Sequence, residues 1–143
     1  HDPALERVAA IDADIAFWSQ RTGAAPADPH SPATTAYVAR LHASSDWGGF
    51  FVAHHYTRYL GDLSGGQAIG AILSREYGLS GSGVEFYAFP EIAKPKLYKD
   101  AYRERLDALA LTSEEKHAVV EEVKVAFSLN QALFAELSRS LAA

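Results

Sequence analysis

One segment of the chain combines ionisable side chains with an unusual density of glycine. Residues 56–70 read YTRYLGDLSGGQAIG and include Gly61, Gly65, Gly66 and Gly70. A glycine inside a helix costs roughly 1 kcal/mol relative to alanine, so four weigh heavily against the roughly 5–15 kcal/mol stability of a domain. One interpretation is a helix–turn–helix whose turn needs glycine. The other is a helix backbone that must come very close to something flat and large.

A carboxylate and a guanidinium stand beside two of these glycines. Gly61 and Gly65 are four residues apart and share one helical face, where they would leave a shelf without side chains. Asp62 lies beside that shelf, and Arg58 is placed one turn earlier for an i, i+4 ion pair. On an arbitrary helix such a pair is a solvated surface contact. Beside the glycines it favours a kinked helix with a carboxylate at the kink, which suits a ligand pocket.

The elements that position this segment are predicted to be helices nearly throughout, which gives an all-α fold. Asp2-Pro3 and Ser31-Pro32 each place a capping side chain before a proline at the first helical position. Gly23 is a plausible end of the first helix, and the proline-rich residues 23–32 form a connector. The first helix carries a single apolar stripe with helical spacing, made of Leu5, Val8, Ile11, Ile15 and Trp18.

Further helices follow on the same kind of evidence. The second helix ends at residues 47–49, and the glycine segment lies on a third that runs from near Phe50 to Tyr77, where Gly78 ends it. Pro95 starts a helix after a loop at residues 80–90, and residues 112–115 have the form of a capping box for the last one. An apolar stripe is predicted to face inward on that last helix: Val119, Val123, Phe127, Leu133, Phe134, Leu137 and Leu141.

The amino-acid composition limits the kinds of function that the chain can have. The chain has 143 residues, of which 48% are hydrophobic and 22% charged, as is typical of one soluble globular domain. The absence of cysteine excludes disulfides, thiolate metal sites and a cysteine nucleophile. A net charge of −5 argues against nucleic-acid binding, and no apolar run is long enough to span a membrane.

Three stretches make the sequence resemble the heme oxygenases, most closely the soluble bacterial enzymes. They are YTRYLGDLSGGQ (56–67), IAKPKLYKDAYRERL (92–106) and AFSLNQALFAEL (126–137). The resemblance covers essentially all of residues 1–143, which would form one multi-helix heme oxygenase-like domain with a kinked, glycine-rich distal helix. It corresponds to only the later two-thirds of a heme oxygenase, because the N-terminal portion is lacking.

The resemblance implies a role for each residue of the distal helix. Gly61 and Gly65 would lie against the porphyrin, and their backbones would bend bound O₂ toward one meso carbon. Asp62 would anchor the water network that delivers protons, because a carboxylate acting through water supplies protons with little direct push. Arg58 and Asn130 would hold that network. The alternative for Asn130 is a polar residue at the boundary of an apolar stripe.

Other positions match the family's heme contacts. Lys99 and Arg103, at i and i+4, match the cations that bind the propionates and fix the orientation of the heme. Tyr56 matches a further propionate contact. The same resemblance implies heme contacts at Ser64, Phe127 and Phe134. From their spacing alone the two phenylalanines would be ordinary core, and Lys99 would be a solvated lysine.

No metal ligand is predicted in this chain. His54 and His55 are adjacent, so on a helix they point about 100° apart and cannot grip one ion together. His54 matches a family histidine that is not the iron ligand. The family's axial histidine lies in an early helix, before the point where this chain begins. Methionine is absent even at position 1, so we expect a missing N-terminal segment, without which the 143 residues cannot form a competent heme site.

The activity that the resemblance implies is a heme-degrading mono-oxygenase in the cytoplasm. Heme would be both substrate and cofactor, O₂ and electrons from a reductase or ferredoxin would be consumed, and biliverdin, CO and ferrous iron would be produced. Two alternatives stay open. A heme-binding module without turnover would not need Asp62 beside the glycines, and a heme-free helical scaffold would leave the cost of the four glycines unexplained.

Overall fold

The computed structural model describes residues 2–24 and 31–142, with the backbone alone at residues 141 and 142. Within them the secondary structure is helical and contains no strand, which confirms the all-α prediction. Residues 25–30 of the predicted connector, and the side chain of Leu141, lie outside the described part. The α-helices are α1 (Val8–Thr22), α2 (Pro32–Ala43), α3 (Gly48–His55), α4 (Gln67–Tyr77), α5 (Pro95–Asp107) and α6 (Ser113–Ala142).

Most helix boundaries follow the local signals in the sequence. The Ser31 hydroxyl accepts a 2.9 Å hydrogen bond from the amide of Thr34, as an N-cap should. Gly23 and Gly78 end α1 and α4 with φ of 69° and 62°, left-handed values that favour glycine. The capping box is also present, since Thr112 and Glu115 each accept a hydrogen bond from the other's backbone amide. These predictions are therefore confirmed.

The first helix begins later than predicted. Asp2 does cap a turn, but that turn is a short 3₁₀ helix, Pro3–Leu5, and the backbone is extended at Glu6 before α1 begins at Val8. The break turns Leu5 into the interior, where it is 2% exposed. It also buries Arg7, whose guanidinium donates to the carbonyls of Leu5 and Ala88. Burial of these two side chains explains why the helix does not start at Pro3.

The predicted third helix contains two widened turns. Between α3 and α4 the backbone is π-helical at Tyr56–Leu60 and again at Asp62–Gly66. A π turn bonds each amide to the carbonyl five residues earlier, and such turns are frequent at functional sites. The sequence predicts a kink at this place, and the structure locates the departure from α geometry at the same residues.

The described residues form two compact units, each with its own interior. The first comprises residues 2–24 and 59–109, and its core is a cluster of Leu5, Leu63, Phe89 and Ile92. In this unit α1 packs on a short 3₁₀ turn at Glu85–Tyr87. The second comprises residues 31–58 and 110–142, where α2 and α3 pack against α6. Its most buried residues are Ser44, Ala53, His54, Glu122 and Ala126.

The prediction that the α6 stripe faces inward is wrong for its largest members. Phe127 is 57% exposed, Phe134 63% and Leu137 54%. The buried side of α6 instead carries Glu122 and Ala126, because small alanines allow two helices to approach closely and Glu122 has polar partners in α2 and α3. The α1 stripe is likewise exposed at Val8, Ile11 and Ile15.

None of the helices in the described ranges is both long enough and apolar enough to cross a membrane.

Candidate functional site

The four glycines form two pairs with different surroundings. Gly61 and Gly65 are exposed. A Cβ on either would have no described atom within 4 Å beyond its chain neighbours and the backbone of its own helix. Their shared face is therefore an open shelf of backbone, as the four-residue spacing predicts.

The second pair, Gly66 and Gly70, is buried against a tyrosine. A Cβ on Gly70 would lie 2.8 Å from Cβ of Tyr87, closer than real Cβ contacts come. A Cβ on Gly66 would lie 3.4 Å from Cδ1 of Tyr87 and 3.4 Å from Cβ of Asp62. Gly70 is thus needed for close packing inside the first unit, Gly66 is at ordinary van der Waals distance from its neighbours, and only the other two glycines leave an open face.

Asp62 lies half-buried at the start of the second π turn, beside the open glycines. Its charge acts on Arg7, which is buried with its guanidinium 3.9 Å from the centre of the Phe89 ring. Burial lowers the pKa of Arg7, and the electrostatic influence of Tyr59 and Asp62 opposes that shift. The carboxylate of Asp62 is therefore close enough to the buried Arg7 to influence its pKa.

The two predicted propionate-binding cations lie on α5, one turn apart. Lys99 donates from Nζ to Oγ of Ser64 over 2.9 Å, so the structure brings together two of the predicted heme contacts. Arg103 lies 3.3 Å from Asp100, which also pairs with Lys96 at 2.8 Å. These cations hold the pKa of Asp100 below its usual value, Lys96 contributing most. Asp100 is thus a surface carboxylate paired with Lys96 and Arg103. The hydrogen bond of Lys99 goes to Ser64.

In the second unit, a hydrogen bond joins the two residues that were predicted to hold the water network. Nη1 of Arg58 donates to Oδ1 of Asn130 over 2.6 Å. Asn130 is half-buried, and this bond supplies the partner that burial of its amide requires. Phe127 and Phe134 stand three residues before and four residues after it, and therefore on the same side of α6. Tyr56 is half-buried at the start of the first π turn.

The second unit contains a buried polar cluster that was not predicted from the sequence. Glu122, only 3% exposed, accepts a 2.7 Å hydrogen bond from Nε of Arg40 and a second bond from its Nη2. Its Oε1 also lies 2.8 Å from Nε2 of His54. The Arg40 bonds hold the pKa of Glu122 below its usual value, with His54 adding to the effect and burial opposing it. The signal available in the sequence was the position of Glu122, whose helical spacing puts it on the buried face of α6.

Two polar atoms in this cluster have no partner among the described residues. They are Oη of Tyr37 and Nδ1 of His54, and the two rings lie 5.7 Å apart between centroids. In the described part of the chain no three acidic or histidine side chains converge in a way that could hold a metal ion. The structure places His54 in a buried hydrogen-bonded cluster with Glu122.

The sequence and the fold were both compared with known proteins. A family model described as heme oxygenase matches residues 1–136. Heme oxygenase 1 of Rattus norvegicus is 47% identical over 143 residues, which cover 96% of this chain and 48% of the relative. The Homo sapiens protein of that name is 43% identical over 140 residues, with the same coverage. The chain thus spans about half the length of the curated relatives it matches.

Solved structures give the same result. A heme oxygenase from Leptospira interrogans has a TM-score of 0.83 and 38% identity, and the match covers 94% of this chain and 66% of that one. Heme oxygenase-1 from the cyanobacterium Synechocystis, solved in complex with heme, has a TM-score of 0.85 and 32% identity, over 99% and 64% of the two chains.

Proposed function

Because the chain belongs to the heme oxygenase family, we propose that it is part of a mono-oxygenase that degrades heme. The reaction would consume heme, O₂ and electrons from a reductase or ferredoxin in the cytoplasm, and would yield biliverdin, CO and ferrous iron. The observation that carries the proposal is the open backbone shelf at Gly61 and Gly65. Heme, when bound, supplies the redox-active iron and the ring that is oxidised.

The shelf fits a porphyrin because it is flat and because, of the four glycines in this segment, only Gly61 and Gly65 leave an open face. Gly66 and Gly70 lie in the same helical segment but are buried against Tyr87, and at Gly70 the close approach of Tyr87 leaves no room for a side chain. An added Cβ on Gly61 or Gly65 would meet no described side chain, so packing among the described residues does not offset the cost of these glycines to helix stability. A planar ligand lying on the backbone would account for that cost.

Residues of the first unit would orient this ligand and manage its protons. Lys99 and Arg103 would pair with two carboxylates of the ligand through charge-assisted hydrogen bonds. The bond from Lys99 to Ser64 limits the freedom of the ammonium, so less entropy is lost when it binds. Asp62 would hold water beside Gly61 and Gly65 and transfer protons through it.

Residues of the second unit would contribute polar and apolar contacts. The bond between Arg58 and Asn130 fixes the guanidinium and the amide, which would hold ordered water with little reorganisation. Phe127 and Phe134 expose their rings instead of packing in the core, and would lie on the porphyrin. Tyr56 would contact a propionate.

We propose further that residues 1–143 belong to one larger heme oxygenase-like domain. The axial histidine would come from a segment outside this chain. Two observations support this: His54 is only 2% exposed and is bonded to Glu122, and α1 exposes Val8 at 72%, as well as Ile11 and Ile15. The added segment would cover that apolar stripe.

The test is hemin turnover in air by the 143-residue chain, with ascorbate as reductant and imidazole as a substitute axial ligand. We expect loss of the Soret band and release of a bile pigment with imidazole, and little turnover without it. The Asp62→Ala variant should lose the pigment, whereas Asp100→Ala, at an exposed carboxylate of α5, should keep it. A stable reduced spectrum would instead indicate a heme carrier, and no spectral change a heme-free scaffold. Turnover at ordinary rates without imidazole would overturn the axial-ligand proposal.

A further inference from the structure

The turn that carries Tyr87 is anchored to the rest of the first unit. The Asp14 carboxylate accepts 2.8 Å hydrogen bonds from the backbone amides of Glu85 and Phe86. Trp18 donates from Nε1 to the Gly83 carbonyl over 2.8 Å. On the other side of Tyr87, Arg7 donates to the Ala88 carbonyl and Phe89 is buried in the core. Tyr87 therefore projects from a short segment held at both ends.

From this segment Tyr87 contacts the buried side of the helical residues 61–70, where Gly66 and Gly70 lie. The tightest position is Gly70, where an added Cβ would come 2.8 Å from Cβ of Tyr87. A Cβ is tied to its own backbone, so this clash cannot be relieved by rotating a side chain. The helix can approach the turn this closely only because residue 70 has no side chain.

Tyr87 and Asp62 border the same space beside Gly66. The space beside Gly66 is bordered on one part by Cδ1 of Tyr87 and on another by Cβ of Asp62, each 3.4 Å from an added Cβ, with Oδ1 of Asp62 at 3.7 Å. Because packed interiors transmit small displacements, a shift of the Tyr87 ring would move the helix backbone at Gly66 and the carboxylate with it.

We infer that Tyr87 is a positioning residue for Asp62, acting through its close packing on Gly70 and the space that it shares with Asp62 beside Gly66. The anchored turn supplies a fixed reference, and the glycines set how near the helix lies to it. The importance of Asp62 for catalysis rests on the proposed function, but its placement by Tyr87 does not, and it can be measured without heme.

The experiment is a double-mutant cycle on the heme-free chain, read from the ¹³Cγ resonance of Asp62. Gly70→Ala should shift this resonance in the wild-type background, because the new Cβ displaces Tyr87. In the Tyr87→Gly background the same substitution should have no effect, because the opposing Cβ is gone. Gly48→Ala, where an added Cβ meets no described atom within 4 Å, should leave the resonance unchanged in both backgrounds.

The outcomes separate positioning from a general loss of structure. An equal shift in both backgrounds would show that Gly70→Ala acts through helix propensity alone and would overturn the inference, as would no shift in either. If Gly70→Ala does not fold, Tyr87→Gly alone is compared with the wild type: a shift of the Asp62 resonance is expected, and an unchanged resonance overturns the inference. In the heme-loaded protein, a displaced Asp62 should lower kcat by about tenfold or more while the affinity for hemin is unchanged. Absence of heme turnover in the wild type would refute the proposed function and leave the resonance result standing.

Discussion

Arg58 and Asn130 are joined by a 2.6 Å hydrogen bond that spans 72 positions of sequence and fastens the first π turn to α6. The donor is charged and both side chains are partly buried, so we expect the bond to stabilise the second unit. Arg58→Met or Asn130→Leu should each lower the free energy of unfolding by about 1–2 kcal/mol. Urea unfolding of the two single variants and of the double variant measures this. The double variant should lose less than the sum of the two, and strict additivity would contradict a direct interaction.

Glu122 should make the stability of the second unit depend on pH. Its folded pKa is lowered, mainly by the Arg40 bonds, from a usual value of 4.5. The stabilisation is therefore present above pH 4.5 and is lost as the pH falls through the folded pKa. Breaking a buried ion pair costs 3–5 kcal/mol, and because Arg40 is 35% exposed, we expect about 2–4 kcal/mol for Glu122→Gln near neutral pH.

Other carboxylates also contribute to acid unfolding, so the informative quantity is the difference between the wild type and Glu122→Gln. That difference in unfolding free energy should shrink as the pH is lowered below 4.5. A difference that stays constant with pH would show that Glu122 is not ionised in the folded state.

The buried hydroxyl of Tyr37 should contribute little to stability. Its Oη has no partner in the described part of the chain, so Tyr37→Phe removes an unsatisfied group and should change the unfolding free energy by less than about 0.5 kcal/mol or raise it. Ser44 offers a matched control, because its buried hydroxyl donates to the Leu41 carbonyl over 2.7 Å. Ser44→Ala should cost about 1 kcal/mol. An equal cost for both would show that Tyr37 has a bonded partner.

Tyr98 should ionise above the usual pH range of a tyrosine. Burial and a hydrogen bond to Asp2 raise its pKa from 10.0 to about 12. A raised folded pKa stabilises the protein below pH 10, and this contribution is lost as the pH rises toward 12. Phenolate absorbance, compared between the wild type and Tyr98→Phe, isolates this group. Asp2→Asn should lower the midpoint, and an unchanged midpoint would mean that burial alone sets it.

Local signals predicted most of the helix boundaries and the open shelf, but not the start of α1. Ser31, Gly23 and Gly78 act through their own backbone neighbours, so their roles can be read directly from sequence. The four-residue spacing of Gly61 and Gly65 predicts a shared face on an α-helix. The two π turns were not predictable, because no residue type distinguishes a π turn from a kinked α-helix.

Contacts between distant segments limited the rest. The face of α6 was predicted from its large side chains, but burial follows Ala126 and Glu122, whose partners lie on α2 and α3. Similarly, nothing near Gly70 in sequence indicates that Tyr87 packs on it. Tertiary packing decided both cases, and periodicity within one helix carries no information about it.

The central claim is that a porphyrin lies against the backbone at Gly61 and Gly65. The most direct measurement is titration of the ¹⁵N-labelled chain with gallium protoporphyrin IX, a diamagnetic analogue of hemin, in the presence of imidazole. Ring-current shifts should be largest at the amides of Gly61 and Gly65. Gly23 and Gly78, whose Cβ positions are equally open, should not move. Porphyrin binding that leaves the amides of residues 61 and 65 no more affected than those of residues 23 and 78 would contradict the account.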